Sequence, residues 1–198
     1  MILKDIKLKN NLKRLIKKTP EVEDVILFGS SVRGKREPAD LDILVLFKDK
    51  IQKETEREIR KELEKEYRTI SIISKTSKTL TDTSFDARES ILFEGVSLVT
   101  REKIAERNGF SSLGAFKYSF NGWDKLRITK FYYALNGRGK QEGILQLLDG
   151  IKMSDSIVLV PLEKIEPFRE FLESWEIDYL YIPLLLPQRL NRKNILQR

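Results

Sequence analysis

Residues 27–47, LFGSSVRGKREPADLDILVLF, join two apolar segments through a basic loop and place two aspartates at the start of the second segment. Asp40 and Asp42 are separated only by Leu41. Side chains two residues apart in a strand point to the same face, so both carboxylates are expected on one side of a sheet. Like charges at that separation repel unless a cation lies between them. The stretch therefore predicts a cation site.

The composition restricts the chemistry of such a site. The chain has 198 residues, a net charge of +7, and neither cysteine nor histidine. Disulfides, Cys-His zinc sites and catalytic units that need histidine or cysteine are excluded. Any metal must be held by oxygen ligands, which favours Mg²⁺ or Mn²⁺.

No segment predicts membrane insertion. No apolar run approaches the ~20 residues that span a bilayer, and the basic N-terminus lacks the long apolar region and small-residue cleavage site of a signal peptide. We therefore expect a cytoplasmic protein without membrane contact. Abundant charge (34% Asp, Glu, Lys and Arg) and the absence of cysteine resemble the composition of thermophile proteins.

The order of apolar and polar segments predicts two domains. Residues 1–100 read as an α/β (α+β) domain with a mixed sheet flanked by helices, and residues 101–198 as a small basic α+β domain. The elements expected in the first domain are helices at 5–18, 50–66 and 84–94 and strands at 22–28, 40–47, 68–74 and 96–100.

The second half predicts two strands and three main helices. Residues 109–116, GFSSLGAF, read as a Gly/Ser-rich connection, and residues 136–143, NGRGKQEG, as a turn between helices. The strands are expected within SIVLVPL and DYLYIPLLL, and the helices at 123–135, 163–175 and in the short segment ILQLLDG.

The turn after the first strand suits a phosphate. Gly29 allows a ligand to approach the backbone, and Ser30 is expected to begin a short helical turn whose free N–H groups and hydroxyl face the phosphate. Positive charge around this turn comes from Arg33, Lys35 and Arg36. A nucleoside triphosphate (NTP) fits this arrangement, with Asp40 and Asp42 holding the cation against its phosphates.

The pattern L-F-G-S-S-V-R-G-x5-D-L-D-I-L-V resembles the signature of the nucleotidyltransferase superfamily, and most closely the minimal prokaryotic domains related to DNA polymerase beta. The resemblance covers about residues 5–100 and extends to LFEGVSLV after the last helix of this part. It implies NTP and Mg²⁺ binding and transfer of a nucleoside monophosphate to an acceptor hydroxyl. By the resemblance, Gly29 and Ser30 bind phosphate, and Asp40 and Asp42 are the catalytic, metal-binding pair.

The resemblance also implies a third carboxylate on a later strand, which this sequence lacks. In RTISIIS, residues 68–74, Ser71 stands where that carboxylate is expected. Glu66, Asp82 and Asp86 are nearby in sequence, and each would need an unusual geometry to replace it. A positioned general base contributes about 10²–10⁴-fold to a rate, so the protein is expected to be slow, to use a carboxylate from elsewhere, or to bind nucleotide without turnover.

The second half offers candidate polyanion contacts. The helix at 123–135 mixes aromatic residues with Lys125, Arg127 and Lys130, and the Gly-containing loop after it, with Arg138 and Lys140, could bind an anion just before the next helix. Aromatic faces stack on bases while cations contact phosphates, which suggests RNA. The alternative is that the aromatics belong to a core and that the Gly-containing loop is an ordinary turn.

Three classes of function remain open. The protein is an enzyme that adds a nucleotide to RNA, a protein or a small molecule. Alternatively it is a weak or inactive NTP-binding regulator, such as an antitoxin-like partner of another protein. In the third class the fold serves only as a scaffold for binding nucleic acid.

Overall fold

The structure is a computed structural model that describes residues 2–35 and 39–190. The chain divides into two compact units. Unit 1 comprises Met1–Val32 and Arg36–Asn108, and unit 2 comprises Arg33–Lys35 and Gly109–Arg198. Each unit is mixed α+β, with a sheet flanked by helices.

Unit 1 contains one mixed sheet of four strands in the order β3-β2-β1-β4. The pair β2–β3 is parallel, and β1 is antiparallel to both β2 and β4. The elements in chain order are α1 (Ile6–Lys18), β1 (Val22–Phe28), β2 (Leu41–Phe47), α2 (Lys53–Glu64), β3 (Ile70–Thr76), α3 (Arg88–Glu94), β4 (Val96–Ser97) and α4 (Ile104–Arg107).

Local sequence signals fix the first helix. The Asp5 side chain accepts a hydrogen bond from the Leu8 backbone N–H at 2.8 Å, which caps the helix N-terminus. Leu8 and Leu12, one turn apart, are buried against the sheet. The helix stops at Thr19, just before Pro20.

The central strands bury apolar side chains on both faces. Ile26, Phe28, Leu44 and Leu46 belong to a core cluster that also includes Ile91 of α3. Residues of the opposite parity on β2, including Ile43 and Val45, are also fully buried. Position 42 has the parity of Leu44 and Leu46, so its side chain projects from the sheet face that α3 covers.

An ion pair with a buried carboxylate joins β1, β4 and α4. Asp24 is 4% exposed and accepts hydrogen bonds from Ser97 Oγ at 2.7 Å and from Nη1 of the more exposed Arg107 at 2.6 Å. Because removing one partner of such a pair leaves a charge without compensation in a poorly solvated place, this network holds α4 against the edge of the sheet.

Unit 2 contains an antiparallel sheet in the order β10-β5-β9-β8 and a small hairpin, β6-β7. Its elements are β5 (Phe110–Ser119), α5 (Lys125–Asn136), β6 (Gly137–Arg138), β7 (Gln141–Glu142), α6 (Ile144–Leu147), β8 (Ile151–Ser154), β9 (Ile157–Pro161), α7 (Ile165–Ser174) and β10 (Asp178–Pro187). Aromatic rings dominate its core: Phe116, Phe131 and Phe168 are fully buried, and the rings of Phe116 and Phe168 are 5.0 Å apart.

Several sequence expectations for unit 2 are wrong. The predicted connection at 109–116 is mostly the ten-residue strand β5, and the predicted helix–helix turn at 136–143 contains the β6-β7 hairpin. A side chain at Gly114 would approach Ile165 to 2.7 Å, so this glycine serves close packing in a strand. The strand β8 was not expected at all.

The main elements of unit 1 are the predicted ones, but β3 spans Ile70–Thr76 where 68–74 was expected, and α3 begins at Arg88 where residue 84 was expected. The strand expected over 96–100 is limited to Val96–Ser97. None of the helices in the described part of the chain is long and apolar enough to cross a membrane.

Candidate nucleotide-binding site

Gly29 and Asp42 lie against each other at one end of the β1–β2 pair. Phe28, the last residue of β1, is paired with Asp42 on β2. Gly29 follows with φ of +83°, and a Cβ atom at this position would overlap Oδ2 of Asp42. Only glycine combines this backbone conformation with this close approach. The sequence therefore needs glycine here both to turn the chain and to leave room for a carboxylate.

The segment after Gly29 is a turn and not the short helix that the sequence suggested. The Val32 N–H donates to the Gly29 carbonyl oxygen at 3.1 Å, and residues 30–34 continue as turns. Ser30 is half-buried in this turn. Phosphate binding through a helix dipole is therefore not available at Ser30, and the remaining donors are turn N–H groups and the hydroxyl.

Glu94 is a site residue that sequence reasoning missed. Its side chain is 4% exposed, and Oε1 accepts a hydrogen bond from the Gly29 N–H at 2.9 Å. A buried carboxylate on α3 thus fixes the backbone of the same glycine that contacts Asp42. The sequence does contain a signal for this residue: Glu94 is the one charge in the apolar run LFEGV, which predicts burial. A buried charge needs a specific partner.

Asp40 lies one residue before β2. The strand begins at Leu41, whose N–H donates to the Thr69 carbonyl oxygen at 3.0 Å. The period-two argument therefore applies directly to Asp42, and Asp40 belongs to the loop that leads into the strand. Both carboxylates are half-buried.

Ser71 is the direct neighbour of Asp42 on the parallel strand β3. Paired residues of adjacent strands project to the same face, so a carboxylate at position 71 would point beside that of Asp42. The structure thus assigns to serine the position at which the superfamily resemblance implies the third carboxylate.

Other acidic residues do not fill this position. Glu66 lies 3.5 Å from Lys7 Nζ, and Asp86 is exposed. Asp82 accepts a hydrogen bond from the Ser84 N–H at 2.9 Å, and this bond lowers the pKa of the Asp82 carboxyl. Over residues 2–35 and 39–190, no group of three or more acidic side chains is arranged to hold a metal ion.

The oxygen ligands near Gly29 still fit a Mg²⁺ ion that is bound together with a nucleotide. Mg²⁺ is commonly bound by one or two carboxylates together with substrate phosphates and waters. Asp40 and Asp42 supply two carboxylates, and the absence of histidine and cysteine leaves an all-oxygen site. These two residues are the ones that would hold the ion.

The structure describes two of the three basic loop residues that the sequence predicts near the phosphates. Arg33 and Lys35 are grouped with unit 2. Within that unit, Arg33 Nε donates to Glu166 Oε1 at 2.9 Å, while Lys35 is exposed. Arg36 lies outside the described residues. A role for these three cations in nucleotide binding stays a prediction.

The predicted polyanion contacts of unit 2 divide into two groups. The guanidinium of Arg127 lies 4.0 Å from the Trp123 ring and donates to the Trp175 carbonyl oxygen at 2.7 Å. The guanidinium of Arg138 lies 4.6 Å from the ring of Tyr133. The three lysines of the predicted set, Lys125, Lys130 and Lys140, are exposed.

Residues 10–103 match the family model described as "Polymerase beta, Nucleotidyltransferase". The match confirms the resemblance seen in the sequence and identifies this segment, which includes Gly29, Asp42 and Ser71, as a nucleotidyltransferase domain. No curated protein matches the chain.

The chain also resembles parts of several solved structures. One is a mutant of the toxin–antitoxin pair MntA–HpeT, at 18% identity over 46% of this chain and 70% of that chain, with a TM-score of 0.34. A toxin–antitoxin structure with AMP-PNP is 22% identical over 46% of this chain and 71% of that chain, with a TM-score of 0.34. A third is a tri-AMPylated Shewanella oneidensis HEPN toxin in complex with MNT antitoxin, at 20% identity over 46% and 69% of the two chains, with a TM-score of 0.32. Similarity at this level carries no inference about function.

Proposed function

We propose that unit 1 binds an NTP with Mg²⁺ or Mn²⁺ and transfers the nucleoside monophosphate to an acceptor hydroxyl. The observation that carries this proposal is the contact between Gly29 and Asp42 at the end of β1, inside a segment that matches a nucleotidyltransferase family model. A carboxylate against a glycine turn brings a cation ligand next to backbone that a phosphate can approach.

The proposed reaction balances without another reactant. The acceptor oxygen forms a bond to the α-phosphorus, and the bond from that phosphorus to the oxygen bridging to the β-phosphate breaks. Pyrophosphate leaves with the bonding electrons, and the hydroxyl proton passes to a base or to solvent. When bound, the cation neutralises phosphate charge and stabilises the leaving pyrophosphate.

Residues of this chain position the reacting groups. Asp40 and Asp42 would hold the cation, and the turn N–H groups and the Ser30 hydroxyl bind phosphate oxygens. Glu94 holds the Gly29 backbone in place by accepting its N–H. Fixed donors and charges of this kind stabilise a phosphoryl transition state by positioning and electrostatics.

A second candidate is an NTP-binding regulator with little or no turnover. The observation that favours it is the pairing of Ser71 with Asp42, because serine cannot act as the anionic base or ligand that the superfamily resemblance implies there. Such a protein would retain phosphate binding through the Gly29 turn and lose activation of the acceptor.

The acceptor is an RNA, a protein or a small molecule. An RNA acceptor would contact the exposed Lys125, Lys130 and Lys140 of unit 2. Arg127, which already bonds to Trp175 and stacks on Trp123, would contribute little.

One pair of measurements separates the two candidates. Calorimetric titration with each NTP, in Mg²⁺ and in EDTA, measures binding. Incubation with α-labelled NTP, total RNA and lysate protein then measures label transfer. Both candidates predict Mg²⁺-dependent binding that is lost in Asp40→Asn/Asp42→Asn, and only the first predicts transferred label. Absence of NTP binding by the wild type would contradict both.

A further inference from the structure

The exposed face of α1 is a strongly basic surface that the proposed transfer reaction does not use. Residues 6–18 contain six basic residues and no acidic residue. Lys13, Arg14, Lys17 and Lys18 are all exposed. Spacings of three and four residues between them place these side chains next to one another on one surface of the helix.

Several charged residues of the neighbouring helix α2, unlike these four cations, form ion pairs with one another. On α2, Arg57 lies 3.9 Å from Glu54 and Arg60 lies 3.6 Å from Glu64. Within the part of the chain that the structure describes, none of the four α1 cations forms an ion pair. The charge of α1 is therefore directed at solvent, whereas much of the charge on α2 is balanced within its own helix.

An open groove of about 510 Å³ runs between α1 and α2, and cations line both of its walls. Arg14 and Lys18 contribute from α1, Lys61 from α2, and Lys65 from the position directly after α2. The wall also contains Glu58 and Glu62, so cations exceed carboxylates by four to two.

Glu62 is already engaged inside the groove. Asn11 Nδ2 donates to Glu62 Oε1 at 2.7 Å, and Lys65 forms an ion pair with the same carboxylate. The hydrogen bond from Lys65 is the main cause of the lowered pKa of Glu62. The outer side of α1, lined by Asn10, Lys13, Arg14 and Lys17, adds positive charge without any carboxylate.

We propose that α1 and the α1–α2 groove bind the phosphate backbone of a single-stranded nucleic acid. Lys13 and Lys17 are one helical turn apart, a rise of about 6 Å at 1.5 Å per residue, so successive cations meet successive phosphates of an extended strand. The groove continues the basic surface of α1, because Arg14 lines both the groove and the outer side of the helix. Such binding is independent of base identity, because phosphates carry no sequence information.

The surface is independent of the proposed transfer site. The buried residues of α1, Leu8 and Leu12, do not belong to the core cluster that α3 forms on the sheet face of position 42. The Asp40→Asn/Asp42→Asn variant is therefore expected to bind nucleic acid as the wild type does, even if the proposed transfer reaction is absent.

The test is fluorescence anisotropy with a 20-nucleotide oligouridylate and a 20-nucleotide oligothymidylate, at salt concentrations from 50 to 200 mM. Each phosphate contact with a single strand contributes about −0.7 to the slope of log K against log salt. Lys13→Gln/Lys17→Gln should therefore make the slope shallower by about 1.4 for both probes and weaken binding at 50 mM.

The matched control is Arg57→Gln/Arg60→Gln, which removes the same charge from α2, where Glu54 and Glu64 already balance it. The control should leave the slope within error of the wild type. Equal effects of the two double variants would overturn the proposal, because they would show a response to net charge alone. Wild-type protein that binds neither probe at 50 mM salt would also overturn it.

A membrane surface is the competing partner for a basic helix. Vesicles containing 30% phosphatidylserine provide the comparison. Vesicle binding that depends on Lys13 and Lys17, together with oligonucleotide binding that does not, would overturn the proposal. Oligonucleotide binding that depends on both lysines supports it.

Discussion

The neighbouring strands β2 and β3 run in parallel, and each carries one polar residue at the same level of the sheet. On β2 this residue is Asp42, which lies against Gly29, and on β3 it is Ser71. The two strands also differ in burial, since β2 is largely buried whereas every residue of β3 is only half-buried at the sheet edge. In the proposed site, a carboxylate therefore stands where a cation would bind, while the position expected to activate the acceptor carries no charge.

Replacing Asp42 by serine places a serine at this level of both strands. Of the predicted changes, this one should have the largest effect on pyrophosphate release. Removing the carboxylate against Gly29 should lower Mg²⁺-dependent pyrophosphate release by about 10³-fold, because the charge that orients the phosphates is lost. The measurement is the initial rate of pyrophosphate release. The exchange variant Asp42→Ser/Ser71→Asp should not recover the rate, because position 71 does not contact Gly29. Recovery would show that the number of carboxylates matters more than their position.

Introducing a carboxylate on β3 should have the next largest effect, in the opposite direction. Ser71→Asp should raise the rate of label transfer by about 10²-fold, since a positioned base typically contributes 10²–10⁴-fold. Ser71→Asn is the matched control, because it has nearly the same shape without the charge, and it should leave the rate unchanged. An unchanged rate in Ser71→Asp would show that acceptor activation does not depend on this position.

Gly29→Ala tests whether the close approach to Asp42 matters. Its Cβ atom would displace the Asp42 carboxylate, and displacement by about 1 Å costs up to about 10²-fold in rate. We expect pyrophosphate release to fall by about 10- to 100-fold. Gly109→Ala is the control, because Gly109 has a similar φ of +78° and its Cβ atom would meet nothing within 4 Å. Equal losses in both variants would assign the effect to backbone strain.

Glu94 should give the smallest of these effects. Glu94→Ala leaves the buried Gly29 N–H without its acceptor, which costs about 1–3 kcal/mol in the free energy of unfolding. NTP affinity should fall by about 10-fold as the turn loosens. Glu94→Gln retains an acceptor oxygen and should restore NTP affinity in calorimetry. If both variants bind NTP as the wild type does, Glu94 has a purely structural role.

The sequence was sufficient for the part of the fold whose periodicity is strong. The first helix, the three long strands of unit 1 and the charged helix α2 were predicted because apolar residues recur at helical or strand spacing with clear stops such as Pro20. The glycine needed at position 29 and the serine at position 71 were also readable, but the segment after Gly29 is a turn and not the predicted short helix.

Other features could not be read from local patterns. The strand β5 contains Ser111, Ser112 and Gly114, which resemble a loop, and it forms because it is paired on both sides by β10 and β9. The role of Glu94 depends on a contact 65 residues away in sequence. The engagement of Arg127 by Trp123 and Trp175 likewise depends on tertiary packing.

The measurement that tests the central claim most directly is pyrophosphate release from each NTP in Mg²⁺, with total RNA or lysate protein as acceptor. Wild-type protein and Asp40→Asn/Asp42→Asn are compared at equal concentration, with folding checked by circular dichroism. The account predicts Mg²⁺-dependent release by the wild type, at a low rate set by Ser71, and none by the variant. Equal release by both proteins would contradict the assignment of the site to Asp40 and Asp42.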